Sequence, residues 1–189
     1  MRLFLAIELD RAAREQCDAL VAGLRRSLGE AASALRWTPA ENIHVTLHFL
    51  GEVDRTSTDR LTAALGTSIP HPAFEASTSS FGAFPPGGPP KIVWLGVGAG
   101  ASEMAKVHRV LADRIQLAGF QPESREFSAH LTVARVRDRD RSSVRGLRAQ
   151  LSAISRHPIA WRVDHVTLFR SDLSGAAPRY EPMTALWLA

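Results

Sequence analysis

Cysteine is nearly missing from this chain. Cys17 stands alone, so no internal disulfide can form and no cysteine-based zinc site can be assembled. That scarcity suits a reducing compartment, and a cytoplasmic location is the expectation. Lysine is almost as rare: only Lys91 and Lys106 stand among the 23 basic residues, and the rest are arginine. A planar guanidinium matches phosphate oxygens better than an ammonium does. The net charge of +4 permits a polyanionic partner without demanding one, since a GC-rich genome also enriches arginine. Long apolar runs are lacking too. The opening "MRLFLAIELD" is cut short by Glu8 and Asp10, too early for a signal-peptide core. No segment approaches the roughly 20 apolar residues that span a bilayer. A monomer without a membrane partner is expected.

What is present suits a globular fold. The chain has 189 residues, 45% hydrophobic and 22% charged. A chain of that length buries about 70% of its unfolded surface and fits one domain made of two lobes, here taken as residues 1–189. Apolar runs predict strands at 2–8, 43–50, 73–81, 91–97, 129–135, 159–170 and 179–188. Helical spacing of Cys17, Leu20, Val21, Leu24 and Leu28 predicts a helix over 11–28. Further helices are expected from Asp54, with Leu61, Ala64 and Leu65 inward, from a Ser102 cap to Leu117, and over about 143–154. "FPPGGPPK", 84–91, must be a turn or exposed loop. Interleaved strands and helices, with a strand–helix–strand pattern in each half, predict an α+β architecture of two similar lobes.

Three strand-like runs share one phrase: "NIHVTLHFLG", "FSAHLTVAR" and "DHVTLFRS" each hold His-x-Thr followed by Leu or Val. Seven His and ten Thr placed at random in 189 residues give about 0.4 such triplets, so three need a reason. Side chains alternate along a strand. His44, Thr46 and His48 therefore share one face and Val45, Leu47 and Phe49 the other; His130 and Thr132 likewise oppose Leu131 and Val133. Imidazole titrates near neutrality and can give or take a proton, and a threonine hydroxyl can donate to a phosphate oxygen without adding charge. Two such strands facing each other would supply an acid, a base and two donors for in-line displacement at phosphorus.

Rival chemistries find less support. His44 and His48 could share a zinc ion at this spacing only on a helix, and there is no HExxH, glycine-rich phosphate loop or nucleophile elbow. His71, His108 and His157 have surface or loop contexts without a companion, and His48, on the motif face, reads as structural rather than as a support for the motif. The loop "RVRDRDR", 135–141, reads as solvated, with Arg137, Arg139 and Arg141 as candidate contacts to a phosphate backbone.

The segments "RWTPAENIHVTLHFLGEV" and "REFSAHLTVAR", with the opening "MRLFLAIEL" and the tail "LFRSDLSGAAPRY", resemble the 2H phosphoesterase family. Their nearest likeness is its RNA 2′,3′-cyclic phosphodiesterase branch, related to proteins also named 2′–5′ RNA ligases. The resemblance implies two antiparallel lobes, each with helices, around a central cleft on a pseudo-twofold axis. It implies hydrolysis of RNA 2′,3′-cyclic phosphate ends, or of a related cyclic nucleotide, to 2′-phosphomonoesters with no metal or other cofactor. On that likeness His44 is the proton donor, His130 the proton acceptor, and Thr46 and Thr132 their partners. His165 falls outside the catalytic motifs. Ala129 stands where relatives usually have proline. The residues five beyond each histidine, Phe49 and Arg135, would hold the nucleobase. Strict alternation, however, puts both on the face opposite their histidines, and Phe49 reads equally as core. Two further functions remain open: 2′–5′ RNA joining as the reverse reaction, and non-catalytic binding of RNA ends or nucleotides.

Overall fold

The computed structural model describes residues 1–121, 126–137, 140, 144–175 and 178–189. The first strand, β1 (Arg2–Glu8), is apolar on both sides because two different layers cover it. Leu3, Leu5 and Ile7 enter the main core, whereas Phe4 and Ala6 form a small separate cluster with Phe169, against which Tyr180 packs. Helix α1 (Arg11–Ser27) follows, its first turn capped by Asp10, whose carboxylate accepts from the Ala13 amide at 2.8 Å. Ala13, Cys17, Val21 and Leu24 line its buried face. Burial pushes the Cys17 thiol up to about 11, so it stays protonated and acts as a small apolar residue.

The chain continues through β2 (Leu35–Trp37), β3 (His44–Glu52), α2 (Arg55–Leu65), β4 (Ser68–Ile69), β5 (Phe74–Phe84) and β6 (Ile92–Val97). Then come α3 (Ala101–Leu117), β7 (His130–Val136), α4 (Leu147–Ala153), β8 (Ala160–Val163), β9 (His165–Asp172) and β10 (Arg179–Leu188). Asp54 caps α2 by accepting from the Ser57 amide at 2.9 Å, as its position before the apolar stripe predicts. Ser102 does not cap α3. The N-cap is Gly100 at φ 82, where a Cβ would stand 2.9 Å from the Ala76 Cα, so glycine is required. The strand expected over 159–170 breaks at Asp164 into β8 and β9, and α4 is shorter than its expected span. Strands β2 and β4, too short to carry a period, have no counterpart in the sequence reading.

The sheet order is β4-β10-β9-β1-β3-β7-β6-β5-β8, with β2 added on β7. It divides in the middle. Strands β1, β3, β9 and β10 make one lobe, and β6, β7, β5 and β8 the other, joined where β3 and β7 pair antiparallel at Val45 and Leu131. Each half runs strand, 17-residue helix, motif strand, shorter helix. After that the chain crosses over: β5 pairs with β6 of the second lobe, and β9 with β1 of the first. This is the α+β, two-lobed arrangement that the sequence implies. The helices contribute their apolar stripes to the core on one face of the sheet, and the other face carries both histidine-threonine motifs.

Candidate active site

One irregularity, repeated in both lobes, builds this face. On β3, Ala6 pairs with Thr46 and Leu5 with His48, leaving Leu47 as an extra residue. On β7, Trp94 pairs with Thr132 and Val93 with Ala134, leaving Val133 extra. Each is a β-bulge immediately after the motif threonine, and a bulge shifts alternation by one residue. Everything beyond it changes sides. Phe49 therefore joins His44 and Thr46, and is 56% exposed, while His48 turns into the core at 1% exposure. Arg135 likewise joins His130 and Thr132 and is exposed, with Ala134 buried behind it. The strict alternation that put His48 on the motif face, and Phe49 and Arg135 behind it, is corrected on both strands.

The junction between the lobes brings the motifs together. Val45 and Leu131 point into the core, so their neighbours point the other way. In antiparallel register His44 and Thr132 flank one side of that pair, and Thr46 and His130 the other. Continuous pairing would hold opposed Cβ atoms about 4.5–5.5 Å apart. Here β3 and β7 pair at that one position among the described residues. Two imidazoles and two hydroxyls therefore line the seam between the lobes, the groove of the candidate site.

Each ring is fixed by the backbone two residues before it and by aromatic neighbours. His130 Nδ1 donates to the Ser128 carbonyl at 2.7 Å; a carbonyl can only accept, so the neutral ring keeps its proton there and its lone pair on Nε2. His44 makes the matching backbone hydrogen bond with Asn42, and its Nε2 lies 3.0 Å from the Thr46 hydroxyl. Phe4 stacks on the His44 ring at 5.0 Å and Tyr180 meets it edge-on at 5.3 Å. Across the groove Phe84 meets His130 edge-on at 5.1 Å, with Trp94 at 6.4 Å. Trp94 lies flat over Gly82, where a Cβ would sit 2.2 Å from the indole, so that strand position must be glycine.

Burial pushes His44 down to about 4; the Asn42 hydrogen bond opposes this, and the positive charge of His130 adds to it. His130 is also lowered, first by burial, against the pull of the Ser128 carbonyl, and further by Arg135. Arg135 also acts on the Tyr180 hydroxyl, holding down a pKa that burial raises. Charge thus links the four side chains in a row: His44 responds to His130, and His130 and Tyr180 respond to Arg135. In the free protein both rings are largely neutral at pH 7. An anion between them would raise both, because it offsets the repulsion and replaces lost hydration.

The other candidates lie elsewhere. His165 and Thr167 are on the same face, but two strands from β3, since Ala6 pairs with both Thr46 and Thr167. His165 donates to Asp164 at 2.6 Å and packs against Trp187, and Thr167 donates to Glu8 at 3.0 Å. His71 and His108 do have companions. His71 bonds Glu103 at 2.9 Å, and His108 is sandwiched between His48 at 4.0 Å and Phe127 at 4.6 Å. Arg137 donates to the Ser33 carbonyl at 3.1 Å, while Arg139 and Arg141 lie outside the described residues. Among the described residues no three His, Cys, Asp or Glu side chains gather as metal ligands. Sequence reasoning missed Phe4, Phe84, Trp94 and Tyr180. Tyr180 closes the tail "LFRSDLSGAAPRY", and Phe4 sits at an alternate position of a doubly buried strand, so both left a trace.

Known proteins match this chain along most of its length. The family profile described as the 2′-5′ RNA ligase superfamily matches residues 9–175. An RNA 2′,3′-cyclic phosphodiesterase of Methanothermobacter thermautotrophicus is 31% identical over 185 residues, covering 97% of this chain and 96% of that protein. One of Archaeoglobus fulgidus is 33% identical over 137 residues, 72% of this chain and 73% of that one. E. coli LigT complexed with 3′-AMP superposes with a TM-score of 0.74 at 26% identity, covering 99% of this chain and 97% of that one.

Proposed function

Because the chain belongs to the 2′-5′ RNA ligase superfamily, we propose that it hydrolyses RNA 2′,3′-cyclic phosphate ends to 2′-phosphomonoesters by acid–base catalysis without a metal. The family resemblance assigns the roles. Neutral His130 removes a proton from water through Nε2, and the water oxygen bonds to phosphorus. The bond from phosphorus to the ribose 3′-oxygen breaks on the opposite side, and protonated His44 gives that oxygen its proton. Thr46 and Thr132 donate to the non-bridging oxygens, whose charge grows in the transition state. Phe49 and Arg135 hold the terminal base between a phenyl ring and a guanidinium plane, as unstacked RNA bases are often held. The whole unit, residues 1–189, works as one two-lobed domain.

One observation carries this reading. Two imidazoles from distant parts of the chain share one groove, each hydrogen-bonded to the backbone two positions earlier, and His44 feels the charge of His130. In-line displacement needs an acid and a base on opposite sides of phosphorus. His44 must be charged to act as the acid, and a phosphate anion beside the ring favours that form. The relatives named as RNA 2′,3′-cyclic phosphodiesterases add independent support.

A short RNA ending in 2′,3′-cyclic phosphate, incubated with the protein in excess EDTA, tests the proposal. Complete conversion to a 2′-phosphate end, read by phosphorus NMR, is expected. Unchanged substrate, or a 3′-phosphate product, would overturn it. The family description also favours the reverse reaction, in which a 5′-hydroxyl RNA attacks the cyclic end through the same two histidines without ATP. Adding such an RNA to the same mixture and looking for a 2′–5′ bond tests that second reading.

A further inference from the structure

Two arginines face each other beside the groove, and no acid among the described residues pairs with either. In the register of β2 on β7, Arg36 pairs with Arg135, Leu35 with Val136, and Trp37 with Ala134. Leu35 and Trp37 pack on the main core, so Arg36 turns to the opposite face, the one carrying His130 and Thr132. Both guanidinium groups are exposed, and neither makes a hydrogen bond or ion pair with any described residue. Four other arginines here are paired with acids: Arg11 with Glu15, Arg14 with Glu8, Arg162 with Glu75, and Arg170 with Glu181. Exposed ones such as Arg25 and Arg55 stand alone among the described residues; what sets Arg36 and Arg135 apart is that they oppose each other. Like charges directly opposed on one sheet face repel, and such positions are normally filled by opposite charges or apolar pairs. An unpaired Arg–Arg step next to a phosphate-handling groove therefore points to an anion that the protein does not itself supply.

The step also has a direction. Along β7 the open face reads His130, Thr132, then Arg135 after the bulge, with Arg36 beside Arg135 on the edge that faces β3. The row leads outward from the histidines to the mouth of the groove. Resting on the cyclic-end reading above, we propose that Arg36 binds the phosphodiester on the 5′ side of the terminal nucleotide. Arg135 lies against the base, and Arg36 takes the next phosphate. The groove thereby selects the end of a polynucleotide over a mononucleotide, although both present the same cyclic phosphate.

The test compares a trinucleotide ending in 2′,3′-cyclic phosphate with the corresponding nucleoside 2′,3′-cyclic phosphate. Arg36→Gln should lower kcat/KM for the trinucleotide about 10-fold and for the nucleoside less than 2-fold, with Arg36→Lys between the wild type and Arg36→Gln. For binding of the trinucleotide 2′-phosphate, the slope of log Kd against log salt should shrink by about 0.7, the counterion release of one single-strand contact. Arg25→Gln, which removes the same charge from the exposed end of α1, controls for long-range steering and should change neither substrate's kcat/KM. Equal losses on both substrates, no loss on either, or the same loss from Arg25→Gln would each overturn the proposal. If the wild type turned over neither substrate, the hydrolytic reading would fail. The affinity of Arg36→Gln for the trinucleotide 2′-phosphate relative to the nucleoside 2′-phosphate would still decide whether Arg36 contacts the second phosphate.

Discussion

His44 and His130 hold matching places in the two lobes but begin from different electrostatic states. His44 is packed between Phe4 and Tyr180 and pushed down to about 4, whereas His130 lies nearer to Arg135. Replacing either by alanine should lower kcat about 10²–10⁴-fold, the usual worth of one positioned proton transfer, with an unchanged circular dichroism spectrum. Because both free rings titrate below their ordinary range, the bell in kcat/KM should peak on the acid side of neutrality. The bell in kcat, which reports the occupied enzyme, should lie at higher pH, since bound phosphate favours the charged imidazole. Coincident bells would count against an anion seated between the rings. Titrating the free protein with inorganic phosphate while following the imidazole proton signals gives a second reading of the same shift.

At the scale of elements, the two bulges decide which side chains reach the groove. Phe49 is exposed beside His44 only because Leu47 takes up an extra place in β3. Phe49→Ala should raise KM for a cyclic-phosphate substrate about 10-fold and leave kcat within a factor of two, as loss of one stacking platform does. A matching fall in kcat would place Phe49 in the chemistry rather than in base holding. On the neighbouring lobe, Gly82→Ala should displace Trp94, since its Cβ would collide with the indole. Overpacking of this kind typically costs about 1–3 kcal/mol. A lower melting temperature together with reduced turnover is expected, because Trp94 and Phe84 both pack around His130.

For the molecule as a whole, the lobes meet at the Val45–Leu131 pair and again on the core side, where His48 of β3 stacks on His108 of α3, which stacks on Phe127 ahead of β7. His48 Nε2 also bonds the His108 carbonyl at 2.8 Å. Burial, the neighbouring His48 and Arg109 push His108 down to about 4. Its unfolded value is near 6.5, so between those limits the unfolded chain binds a proton that the folded one refuses. Stability is therefore full above pH 6.5 and falls as the pH drops toward 4, with His44 adding to the same fall. His108→Phe keeps the ring stack and removes one of these protons, so its melting temperature should fall less steeply over that interval. An unchanged slope would show that the stack is protonated in the fold.

The chain order of β1, α1, β3, β6, α3 and β7, and the two His-x-Thr motifs, could be read from the sequence because they depend on local periodicity and residue chemistry. The same holds for the start of α2 at Asp54 and for Cys17 on the apolar face of α1. The side to which Phe49, His48 and Arg135 point could not be read. A bulge is a property of two paired strands, and no window of one strand contains its partner. For the same reason the sequence did not pair Arg36 with Arg135, or give His108 and His71 the companions that they have. Those contacts join residues far apart in the chain, and folding chooses them by burying Leu35, Val45, Leu131 and Ala134 together. Sequence alone specified which chemical groups the protein carries. Tertiary pairing determined which of them share a face, because side-chain direction in a sheet follows the register between strands.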